Sequence, residues 1–311
     1  FNPTRGLMRK VKLVYRVCPT CSSKDQSKVY AEANYNLDVL DGYAFASRKI
    51  PENMHYRLVE CPSCDTLYAN PLPSLKHLAQ NYHEAAFDSS EEAHFAARTY
   101  ARHLPAIIKN IPNTQGAIDI GTGDGAFLEE LLKKGFTQVV GVEPSKAPIQ
   151  ASLPEIRPFI KKGLFNSRSF KKNNVSLITC FQTFEHLYDP LKTCRESYRI
   201  LKKGGAFYIV CHNRRSLSCR ILGFKSPIFD IEHLQLFSPQ SAMALLTKAG
   251  FTRITIKPLL NVYPLHYWLK LLPIPKDLKI GLIQFLKIIK VGYLPVMLPA
   301  GNLAVIGYKN R

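Results

Sequence analysis

Two Glu-His dipeptides, Glu185-His186 and Glu232-His233, stand downstream of a glycine-rich stretch, and two Cys-x-x-Cys pairs stand upstream of it. Each group implies a chemistry. An imidazole beside a carboxylate can take a proton near neutral pH, because the carboxylate orients the ring and raises its basicity. Neighbours in sequence rarely bond each other, so the useful pairing is expected to run between the dipeptides. His233 is the first candidate for a catalytic base, ahead of His186, with Glu232 or Glu185 in support. The competing expectation is that each His only caps or anchors a loop. His212 follows an apolar strand pattern and is expected to hydrogen-bond locally. Cys18-Pro-Thr-Cys21 and Cys61-Pro-Ser-Cys64 read as a four-thiolate zinc site. Four thiolates leave no open position for water, so the zinc would be structural. The alternatives are two disulfides, which need an oxidising compartment, or free thiols.

From Ala117 to Gly125 the chain reads Ala-Ile-Asp-Ile-Gly-Thr-Gly-Asp-Gly. A helical pattern follows, with Phe127, Leu128, Leu131 and Leu132 on one face and Gly135 at its end. Val139-Val140-Gly141-Val142-Glu143 then reads as a second strand ending in an acid. Strand, glycine turn, helix, strand and acid together predict a nucleoside site rather than an incidental turn. Glycines at 121, 123 and 125 let the backbone approach a ligand, and Glu143 is placed to accept from both ribose hydroxyls.

These groups need elements to position them. After Ala117 strand and helix patterns alternate, which predicts an α/β fold with a covered parallel sheet. Val175 to Phe181, Ala206 to Cys211, Thr252 to Ile256 and Leu303 to Tyr308 are the later strands, with a helix from Pro239 to Ala249. The length of 311 residues is too great for one small domain and about right for two, and the patterns divide the chain into a zinc-binding module over 1–72, a helical connector or lid over 73–112, and the nucleoside-binding domain over 113–311. Tyr82 or Tyr100 in the connector is a candidate ligand contact, though ordinary helix packing is the favoured expectation for it and for Phe87 and Phe95. An insertion at about 265–298 carries a basic amphipathic helix, with Lys276, Lys279, Lys287 and Lys290 on one face. Burial as a cap over the substrate pocket is favoured for it over contact with a membrane surface.

The net charge of +19 favours an anionic partner, whether nucleic acid, lipid surface or phosphorylated substrate. No apolar run is long enough to span a bilayer and no signal pattern appears, so a cytoplasmic location is expected.

The glycine spacing resembles the first motif of class I S-adenosylmethionine-dependent methyltransferases. The Cys pairs, Leu67-Tyr68-Ala69-Asn70-Pro71, the glycine turn, Glu185-His186, Leu-Lys-Lys-Gly-Gly at 201–205 and Glu232-His233 appear in the order seen in zinc-ribbon members of that class. They resemble the deoxysugar C-methyltransferases and enzymes of polysaccharide loci. The resemblance implies a Rossmann-like seven-stranded fold with an N-terminal zinc-ribbon-like module. It implies S-adenosylmethionine as donor, held by Asp119, Gly121, Thr122, Gly123, Gly125, Glu143, Gly163, Leu164 and Gln182, with Asp119 near the cationic end. It implies a small-molecule acceptor: a sugar, nucleotide sugar or glycolipid. Where the sugar C-methyltransferases carry Tyr-x-Glu-His, Asp230 replaces the Tyr. Where the quinone O-methyltransferases hold a divalent metal with Glu-x-x-Glu-His, Gln182 takes the first acidic place. An RNA methyltransferase using the basic surface, and an inactive binding scaffold, are the competing functions.

Overall fold

The structure, a computed structural model, describes residues 13–25, 27–35, 52–75, 77–78 and 90–310. Tyr82 and Phe87 of the expected connector lie outside the described residues. The strands, in chain order, are β1 (Leu13–Val14), β2 (Lys28–Ala31), β3 (Leu58–Glu60), β4 (Leu67–Ala69), β5 (Leu72–Pro73), β6 (Ala117–Ile120), β7 (Val139–Glu143), β8 (Ile160–Lys162), β9 (Val175–Phe181), β10 (Leu201–His212), β11 (Gln235–Leu236), β12 (Thr252–Pro264) and β13 (Pro295–Tyr308).

Seven of them form one sheet in the order β12-β13-β10-β9-β6-β7-β8. From β8 to β10 the strands are parallel, and β13 enters antiparallel between β10 and β12. Every residue of β9 is buried, as a strand covered on both faces requires. In β10 the side chains alternate between two cores. Ala206, Tyr208 and Val210 join the core that includes the helices Ser90–Ala101 and Ala126–Lys133. Phe207, Ile209 and Cys211 join the core beneath the helices Pro190–Ile200 and Pro239–Lys248. Cys180 and Cys211 are buried in that second core, as expected. The parallel strands end together at their carboxyl termini, where the polar segments after β6, β7, β9 and β10 meet.

Three boundaries differ from the sequence expectation. β8 is only three residues long and carries two lysines, so it gives no apolar signal. β12 runs on to Pro264, through Pro258, and β13 begins at Pro295. Prolines read as stops in the sequence, but β12 is a sheet edge, where one side of the strand has no neighbour to bond. The insertion is therefore a long hairpin, paired as far as Pro264↔Pro295, capped by the helices Leu265–Leu271 and Lys276–Ile288.

The second of these helices departs from its expected burial. Leu278, Phe285 and Ile288 are 62%, 58% and 79% exposed, so its apolar residues are not packed on the sheet. Lys279 instead turns inward and donates from Nζ to the carbonyl of Lys270 at 3.0 Å. Lys290 follows the helix at φ 62° and is not part of it. Among the described residues no helix is long and apolar enough to cross a membrane.

A second sheet has the order β11-β4-β3-β2, all antiparallel. Three of its strands come from the Cys-bearing N-terminal segment. The fourth, β11, comes directly after Glu232-His233. Arg214, two residues beyond β10, reinforces the join: its guanidinium lies 2.8 Å from Asp65 and 3.1 Å from Glu60. Arg215 pairs with the same two acids.

Candidate active site

The turn after β6 folds against β7 through its own backbone. Gly121 and Thr122 donate to the Val142 carbonyl at 2.8 and 3.2 Å. Glu143 at the end of β7 receives the Gly123 N–H at 2.9 Å and the Ser145 N–H at 2.8 Å. Burial pushes the Glu143 carboxyl upward, against these two donors. Gly121 sits at φ +73°, where a Cβ would lie 2.3 Å from Thr183 Oγ1, so the protein itself requires glycine there. Gly123, at φ +60°, faces open space within 4 Å and leaves room for a ligand. Gly125 does not line the cavity described next, and a Cβ there would strike Ile156 at 2.5 Å, so close packing itself requires glycine at this position.

A cavity of about 570 Å³ opens over this turn. Asp119, Gly121, Thr122, Gly123, Glu143, Gly163, Leu164 and Gln182 all line it, together with His186, Glu232 and His233. Asp119 accepts from Thr179 Oγ1 at 2.6 Å, and burial pushes its carboxyl up to about 6. Gln182 is held at φ 47° with its N–H on the Val210 carbonyl, and its buried Nε2 has no partner among the described residues. The buried Oδ2 of Asp124 is likewise unpartnered. The sequence motif contains Asp124, but nothing in its spacing separates it from a helix-start residue, and its Oδ1 does accept the Ala126 N–H.

On the other side of the cavity three imidazoles meet. The rings of His186 and His233 are 4.9 Å apart between centroids, as are those of His212 and His233. His233 Nδ1 lies 2.8 Å from the Ile228 carbonyl, and its Nε2 lies 3.9 Å from a Glu232 carboxylate oxygen. His186 Nδ1 lies 3.1 Å from the Glu232 carbonyl and 3.9 Å from its carboxylate. The pairing between dipeptides thus forms as His186 with Glu232. Glu185 takes another place: it is buried, does not line the cavity, and accepts the backbone N–H of His212, with burial raising its carboxyl. His212 lines the cavity, with Nδ1 2.9 Å from Asn302 Oδ1.

Sequence reasoning missed what holds these loops. The buried Gln235 donates from Nε2 to the carbonyls of Phe184, Glu185 and Leu187, at 3.1, 2.9 and 2.8 Å. Arg16, from the N-terminal segment, donates to the carbonyls of Ala69, Tyr188 and Leu234. It also missed the aromatic wall formed by Tyr263, Tyr267 and Trp268 beside Tyr100 and Phe181. Tyr100 packs on Phe181 at 4.7 Å between ring centroids, the favoured expectation for it, and it also lines the cavity. Leu272 and Leu298, 44% and 42% exposed, form part of the rim.

Remote from the cavity, the four expected thiols converge. Cys18 and Cys64 are 3.5 Å apart at sulfur, Cys21 and Cys61 are 3.6 Å apart, and all four sulfurs lie within 4.8 Å of one another. That is the scale of a thiolate tetrahedron around a zinc ion, and the donor set fits that metal.

A family model described as a methyltransferase domain matches residues 92–256, just over half of the chain. The ubiquinone biosynthesis O-methyltransferase of Vibrio parahaemolyticus is 26% identical over 166 residues, covering 48% of this chain and 70% of that protein. An S-adenosylmethionine-dependent methyltransferase from Thermotoga maritima aligns at a TM-score of 0.44 and 21% identity, over 70% of this chain and 91% of that one. The geranyl diphosphate C-methyltransferase of Streptomyces coelicolor, solved with S-adenosylhomocysteine, aligns at 0.44 and 16% identity, over 68% of this chain and 78% of its own.

Proposed function

The chain belongs to the methyltransferase domain family and is an S-adenosylmethionine-dependent methyltransferase; from that premise we propose that its acceptor is a small molecule with an apolar body. One observation carries this. The glycine turn, the histidine cluster and an aromatic wall face a single cavity. Glu143 would hold the ribose, Asp119 would face the cationic end of the donor, and Gln182 Nε2 would donate to an oxygen or ring nitrogen of the donor. Gly163 and Leu164 would flank the donor. During transfer the methyl–sulfur bond breaks as the bond to the acceptor atom forms, and the acceptor gives up a proton. His233, beside Glu232, orients the acceptor or takes that proton.

Among the acceptors expected from the sequence, a glycolipid matches the aromatic wall better than a free sugar or nucleotide sugar. The exposed apolar residues of the helix Lys276–Ile288, with Lys287 exposed among them, favour contact with an anionic lipid surface in the cytosol. RNA would demand a polar entrance, whereas Trp268, Leu271, Leu272 and Leu298 stand among the lining residues here. The test is transfer from labelled donor to three acceptor pools: lipid-linked sugars or other amphiphiles, soluble nucleotide sugars, and RNA. Label only in the soluble or RNA pool would overturn the apolar-body assignment. The four paired cysteines are proposed to hold a structural zinc in the cytosol, one ion per chain by elemental analysis.

A further inference from the structure

We propose that His186, Glu232 and His233 form a second metal site, holding a divalent zinc-class cation at the acceptor side of the cavity. One ligand atom from each of the three lies within 4.8 Å of the others. The hydrogen bonds already described fix the chemistry of both rings. A carbonyl can only accept, so the proton of neutral His233 sits on Nδ1, against Ile228, and the lone pair sits on Nε2, on the side of Glu232. His186 differs: its Nδ1 faces both the Glu232 carbonyl at 3.1 Å and the Glu232 carboxylate at 3.9 Å, so the neutral ring carries its proton there and would ligate through Nε2. An imidazole whose other nitrogen donates to a carbonyl is the usual state of a metal-ligating histidine. Two neutral imidazoles and one carboxylate suit zinc, cobalt or iron better than magnesium or calcium. All three residues line the cavity, so an ion held by them would face it.

This set differs from Glu-x-x-Glu-His. In that motif Gln182 has no carboxylate, and Glu185 is buried outside the cavity on the His212 N–H. The new ligands come from two segments, after β9 and before β11, which Gln235 ties together. Resting on the methyl-transfer function proposed above, the site would bind an acceptor oxygen, orient it and lower the cost of removing its proton. With its Nε2 on the ion His233 would orient the acceptor rather than take its proton, and His212, 4.9 Å from His233 between ring centroids and outside the ligand set, would take it.

The test uses the full chain with its four-thiolate site filled by zinc. Titration with cobalt(II) should bind one further ion per chain, giving weak visible d–d bands without thiolate charge-transfer absorption. His186→Ala and Glu232→Gln should weaken that second binding by more than the roughly 10–100-fold typical of a lost outer-shell partner. Donor binding by calorimetry checks that each variant is folded. Independently of any variant, cobalt(II) should shift or broaden the ring-proton resonances of His186 and His233. A single ion per chain, or a second ion bound equally well by both variants, overturns the metal site. Loss of donor binding in the unaltered protein would instead overturn the methyl-transfer function and leave the metal result standing.

Discussion

The donor side of the cavity is written in one short stretch of chain, and the acceptor side is assembled from at least five. Asp119, Gly121, Thr122, Gly123 and Glu143 lie within a single strand–turn–helix–strand unit, bonded to itself through Val142 and Glu143. The histidines come from three loops, the aromatic wall from the helix Ser90–Ala101 and the β12–β13 hairpin, and Gln235 and Arg16 fasten the loops. A local unit can keep its geometry while the rest of the molecule varies. An assembled one depends on distant contacts.

The sharpest break in this division is His233→Ala. Turnover should fall by roughly 10²–10⁴-fold, the scale of a lost acid–base group, with donor affinity near normal by calorimetry. If donor affinity falls equally, the two sides are one unit. Glu143→Ala is the converse. It should cost about 1–3 kcal/mol of donor affinity, the scale of a charged hydrogen-bond partner, and leave the acceptor KM nearly unchanged. Unaltered donor binding would remove Glu143 from the ribose role. The smallest effect is a pH response confined to the donor side. Asp119 is held up at about 6, above the ordinary carboxyl range, so the folded free protein keeps a proton that the unfolded chain releases. Stability contributed by that proton is present at low pH and is lost as pH rises from about 4 to 6. Donor affinity moves the opposite way, because the cationic donor needs the ionised acid, and should rise about tenfold from pH 5 to 7. An affinity flat across that interval would place Asp119 away from the donor charge.

The same division explains what the sequence made legible. Three glycines, an acid and a helical stripe predict the donor unit because local backbone chemistry dictates it. The Glu-His dipeptides were visible as chemistry, but their partners were not. Glu232 meets His186 only because two loops separated by all of β10 fold together. Arg214 and Arg215 look like surface charge in sequence, yet the Arg214 side chain is 3% exposed and clamped to Glu60 and Asp65. Gln235 sits in a strand of two residues, too short for any periodicity. Tyr263, Tyr267 and Trp268 did offer a signal, aromatic residues at close spacing around a helix start, and it was absorbed into the insertion. Lys279 fell on the expected basic face by spacing alone, but a carbonyl of the preceding helix holds it inward.

The pairing of β11 with β4 also bears on the order in which the chain takes shape as it leaves the ribosome. Once residues 1–72 have emerged, all four thiols and strands β2, β3 and β4 are present. The partner of Leu67 and Tyr68, however, is Gln235–Leu236, which is synthesised only after the donor turn and β10. The nascent N-terminal sheet thus waits with an open edge until the Glu232-His233 loop arrives. The last strand to complete it follows the Glu232-His233 loop, so the closing of that sheet and the placing of that loop are tied together.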